Sequence, residues 1–154
     1  MVKRPQRRSS GLSLIETLTA VFVLGVGLTS VSALFIAGVI SNTKAERTSL
    51  ALNAAHQQME RLRSTGFSGA VADPEIWKAS DGYTILQQNP DMTGQIGFGV
   101  PELPGAEGVI DIAYYVSASG YYPNLKQTTV TVTWAGGGVT GGQAVLQTLL
   151  ANRP

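Results

Sequence analysis

Residues Gly11 to Ile40 read GLSLIETLTAVFVLGVGLTSVSALFIAGVI. One carboxylate, Glu16, stands near the start of this apolar stretch and the next charge is Lys44, so 27 uncharged residues follow a single acid. Four basic residues, Lys3, Arg4, Arg7 and Arg8, lie just upstream. Thr17 to Ile40 is 24 residues, about 36 Å as an α-helix against a hydrocarbon core of roughly 30 Å. The stretch is long enough to span a bilayer with some tilt, and the basic residues read as its cytoplasmic flank. A secretory signal also begins basic and apolar, but its apolar region runs roughly 7 to 15 residues and ends at a small-residue cleavage site. Here the run is longer and no A-x-A pattern closes it. A lone carboxylate at the entrance of such a segment is costly to bury, so Glu16 calls for a partner.

Downstream, Ala45, Thr48, Leu52, Ala55, Met59 and Leu62 follow spacings of 3, 4, 3, 4 and 3, one seam of an amphipathic helix. No proline interrupts the chain between Pro5 and Pro74. The pattern predicts one continuous helix, half in lipid and half against a head, ending near Ser64 with Gly66 as a left-handed cap. Gly25, Gly27 and Gly38 weaken it locally, with bending or fraying expected at Gly25 and Gly27.

Residues 65 to 108 are rich in turn residues and read as an irregular connection, with candidate strands at Tyr83 to Gln88 and Gln95 to Val100. Further on, Ile110, Ile112, Tyr114 and Val116 share one face, and Val130, Val132 and Trp134 oppose Thr129, Thr131 and Thr133, as a half-buried antiparallel sheet requires. Gly136 to Gly142 is a flexible turn leading into a last strand, Gln143 to Leu150. The fold class expected is α+β, a long N-terminal helix packed on a small antiparallel sheet.

The formal charge of +1 hides an asymmetry: beyond the first eleven positions, seven basic residues stand against ten acidic ones, a net of −3. Bulk electrostatics therefore gives no support to nucleic-acid binding. The absence of cysteine excludes disulfides, thiolate zinc sites, a thiol nucleophile and a lipidated cysteine anchor.

The string Gly11-Leu12-Ser13-Leu14-Ile15-Glu16, with a basic leader before it and a long uncharged helix after it, resembles the class III signal of type IV pilins and type II secretion pseudopilins. The resemblance implies a leader, residues 1–11, cut between Gly11 and Leu12 by a prepilin peptidase, N-methylation of Leu12, and Glu16 as the assembly acid at the fifth mature position. Gln58 to Arg63, and Thr129 to Trp134 followed by a glycine turn and a terminal strand, are similar to PilV-type minor pilins and GspI-type minor pseudopilins. Leu12 replaces the usual Phe, and Ala33 stands where major pilins commonly carry proline, which argues for a minor subunit. Gly25 falls on the family's helix glycine. The expected organisation is residues 12–40 as transmembrane and assembly helix, and 41–154 as head. The expected partners are the peptidase, other pilins or pseudopilins in a filament, and the inner membrane, with the head outside the cytoplasm and pilus assembly, secretion, adhesion or motility as the process served. No cofactor, metal or catalytic residue is implied. The competing reading is a membrane-anchored or secreted periplasmic binding domain with no filament role.

Processing would leave a charged amine on Leu12 in or near lipid. A neighbour's Glu16 carboxylate can neutralise it, and such pairing is worth more in a low-dielectric setting than in water. Alternatively Glu16 serves only its own helix N-terminus, by up to about 1 kcal/mol. The remaining candidates read as structural: His56 as a surface or packing residue, Asp73, Glu75, Asp81 and Asp91 as solvated loop acids without EF-hand spacing, and Tyr114, Tyr115, Tyr121, Tyr122 and Trp134 as core and edge packing.

Overall fold

Residues 14–135 and 141–152 are described by the computed structural model. The uninterrupted apolar and amphipathic run forms one helix, α1, Leu14–Gly69, of 56 residues. Five strands follow: β1 Tyr83–Gln88, β2 Gly94–Gly99, β3 Ala106–Ser117, β4 Gly120–Trp134 and β5 Gly142–Ala151. They form a single antiparallel meander in the order β1-β2-β3-β4-β5. The chain divides into two compact units, Met1–Asn42 and Thr43–Pro154, and the sheet belongs to the second.

Within Thr43–Pro154, the buried helix residues are Ala51, Ala55, Met59 and Leu62. Ala45 is exposed and Thr48 only half-buried, so the buried seam begins about two turns later than the sequence spacing suggested. Across the sheet, Ile85, Ile96, Ile110, Val130 and Leu146 stand in register as one row through all five strands. This row and the helix residues belong to one hydrophobic core. Phe98 lies opposite Gly108 and Trp134 opposite Gly142. A Cβ at either glycine would collide with the facing ring, so each glycine supplies the floor on which an aromatic ring lies.

The helix does not stop at Gly66. That residue has φ 69° and ψ −167°, a region open essentially to glycine alone, and helical structure resumes through Gly69. The expected left-handed cap is therefore a kink, followed by one more turn. The connection after it is ordered by named bonds: the Glu75 amide donates to Asp73 Oδ1 at 2.9 Å, the Trp77 indole donates to the Val71 carbonyl at 2.8 Å, and the Ala72 amide donates to the Met92 carbonyl at 2.7 Å. Trp77, which is 1% exposed, makes this segment part of the core, and the irregular region contributes two of the five strands. β1 has the bounds expected from the sequence and β2 is shifted by one residue, while β3, β4 and β5 run longer than expected; β4 starts at Gly120 because Tyr121 and Tyr122 pair back onto Val116 and Tyr115.

Candidate functional site

The candidate site is the first half of α1. From Leu14 to Ile40, fifteen large apolar side chains are 47–85% exposed. Full burial of each is worth roughly 1.5–3 kcal/mol, so a water-exposed resting state is strongly disfavoured. By length and composition this helix is able to cross a membrane. Its hydroxyl groups suit such a setting: Thr19, Thr29, Ser30 and Ser32 each donate to a backbone carbonyl three or four residues earlier, at 2.8–3.1 Å. Their polarity is thus satisfied within the helix, as an apolar surrounding demands.

Glu16 sits exposed in the first turn of α1, where the helix dipole favours a carboxylate. It has no ion pair with any described residue; among those, the ion pair formed is Arg63 with Glu60, at 2.7 Å. Ala20 and Val23 follow Glu16 at helical spacings on the same face. Gly25 and Gly27 keep helical dihedrals, the departure inside α1 being at Gly66, and a Cβ built at either would meet nothing within 4 Å. They form a shallow, narrow stretch of an exposed helix. Gly11 and Leu12 lie outside the described residues, as does most of the Gly136 to Gly142 turn.

No family, curated protein or solved structure matches the chain.

In the second unit, polar side chains tie elements together. Lys126 is buried, on the inner face of β4, and its Nζ donates to the carbonyls of Phe67 at 3.2 Å and Ala70 at 2.7 Å. The ammonium also lies 4.7 Å from the centroid of the Phe67 ring. It caps the end of α1, where unpaired carbonyls and the negative end of the dipole collect. Burial pushes the Lys126 ammonium below the usual lysine range, against a smaller opposing effect of Asp91. Arg61 donates to the Tyr83 hydroxyl at 3.0 Å, Tyr83 donates to Gln58 Oε1 at 2.9 Å, and the guanidinium lies over both Trp77 and Tyr83. The sequence pattern singles out neither Lys126 nor Trp77, and marks Arg61 only as part of the Gln58 to Arg63 string. For Lys126 the signal was present: it has the same strand parity as Val130 and Val132, which points a lone charge inward.

The other singled-out residues have local partners. His56 Nδ1 lies 3.0 Å from the Leu52 carbonyl. Asp91 accepts from the Thr93 hydroxyl at 2.6 Å and from its amide at 3.1 Å, which holds the carboxyl below its ordinary value. Tyr114 meets Tyr121 edge-on at 5.4 Å, and Tyr115 and Tyr122 lie tilted at 5.9 Å, with Tyr121 and Tyr122 exposed and Trp134 buried.

Proposed function

We propose that this chain is a prepilin-like minor subunit of a type IV pilus or type II secretion pseudopilus. The observation that carries the reading is a helix whose exposed apolar half bears one carboxylate, in its first turn, and whose other half forms a core with a sheet. A plain anchor has no need of that acid. In an assembly of parallel helices, by contrast, a carboxylate at one fixed depth can pair with a neighbour's terminal amine. It then sets axial register, because leaving either charge alone in lipid is costly. In this reading the subunit is held in the inner membrane, leader inside and head outside, and is processed between Gly11 and Leu12. It then enters the filament by packing of the apolar helix.

Mass spectrometry of the mature N-terminus tests the processing step. An N-methylated start at Leu12 supports the reading; an intact Met1, or a start beyond residue 35, supports an anchored or secreted binding domain instead. Glu16→Ala tests docking separately: processing persists while incorporation into sheared filaments is lost. Undiminished incorporation of that variant would remove the role given to the acid.

A further inference from the structure

The two edges of the sheet are built differently. β1 is six residues long, and its register with β2 slips between Ile85 and Gln87, leaving Leu86 as an extra residue. A short bulged strand is a poor template for another strand. β5 is ten residues in unbroken register with β4, from Gly142 opposite Trp134 to Ala151 opposite Leu125. Its sequence, GQAVLQTLLA, contains no charge and no proline. Among the described residues, no backbone group outside the sheet bonds to it. It therefore has none of the usual protections of an exposed edge.

Its side-chain pattern is also its own complement. On the outer face Val145 and Leu149 are 50% and 51% exposed and flank Gln147. Directly opposed residues of an antiparallel pair share a face. A twofold axis at Gln147 therefore sets Val145 against Leu149 of the partner subunit, and Leu149 against the partner subunit's Val145. The two Gln147 amides meet at the centre. On the inner face Leu146 falls opposite Thr148 of the partner subunit, and Ala144 opposite the partner's Leu150. No like charges meet, and a closed twofold contact covers both open edges while leaving the bulged β1 strands at the ends.

We propose that β5 is a self-association edge, pairing antiparallel with β5 of a second copy about Gln147 to make a continuous ten-stranded sheet. This proposal does not depend on the filament reading.

The chain has no cysteine, so Gln147→Cys introduces a single thiol. Directly opposed positions of an antiparallel pair bring Cα atoms to roughly 4.5–5.5 Å, within disulfide reach. Full-length chain in detergent micelles is oxidised and run on a non-reducing gel. The expected result is a disulfide-linked dimer for Gln147→Cys and monomer for Thr84→Cys on the β1 edge. Light scattering on the cysteine-free chain provides the second measurement: Val145→Lys, an exposed position, is expected to lower the dimer population at least tenfold. Monomer at every concentration overturns the proposal. So does a dimer indifferent to Val145→Lys, which would be held through the apolar helix, and so does equal cross-linking at Thr84→Cys.

Discussion

Lys126 is the residue at which helix, connection and sheet are joined. A buried ammonium is expensive to desolvate, and it is tolerated here because it satisfies two carbonyls at the end of α1. Replacing it by methionine keeps the apolar stem but leaves those carbonyls without their donor. Lys126→Met is expected to cost about 1–3 kcal/mol at neutral pH, read as a lower denaturation midpoint. The sign of its pH dependence follows from the lowered folded pKa. Between that value and the higher unfolded one the unfolded chain binds more protons, so stability rises with pH in that alkaline window. Below the folded value the penalty on the charged form is carried in full. Subtracting the Lys126→Met curve from the wild-type curve should therefore leave a positive slope confined to the window just below the ordinary lysine pKa. A difference curve that is flat there would mean the ammonium is better solvated than its burial indicates.

At the scale of elements, α1 performs two tasks that demand different surfaces. Its first half is apolar all round, with hydroxyls turned back onto the helix; its second half is amphipathic, with a buried seam of two alanines, a methionine and a leucine. Gly66 marks where the helix must change direction so that Phe67 and Ala70 present their carbonyls to Lys126. Since its dihedrals lie in glycine's own region, Gly66→Ala is expected to cost about 1–3 kcal/mol. A Cβ there meets no neighbour, so the loss is purely conformational. Thermal unfolding followed by circular dichroism measures it, and an unchanged midpoint would show that the kink relaxes without penalty. Gly66 was visible in the sequence as a helix terminator. Its actual conformation was not, because the extra turn to Gly69 is held by Lys126, 60 positions away along the chain.

At the scale of the whole molecule, the apolar half of α1 is long and apolar enough to cross a membrane, and the proposed residence there is open to a direct test. An arginine in the middle of a spanning helix costs about 2.5–3.5 kcal/mol on insertion scales. Leu28→Arg should accordingly move a large share of the chain out of the carbonate-resistant membrane fraction, whereas Glu16→Ala should leave that fraction unchanged. An unaltered distribution for Leu28→Arg would argue against a span centred on this segment. Length, charge placement and periodicity alone determined the long helix, the α+β class, the five strand sites and the position of the lone acid, because each depends on residues near one another in the chain. Only the tertiary structure decided which helix turns are buried, that Gly66 kinks and does not cap, that Lys126 and Trp77 are interior, and that one sheet edge is bulged and the other open. Those outcomes depend on groups distant in sequence that compete for the same buried space and the same hydrogen bonds, and no local pattern records which of them wins.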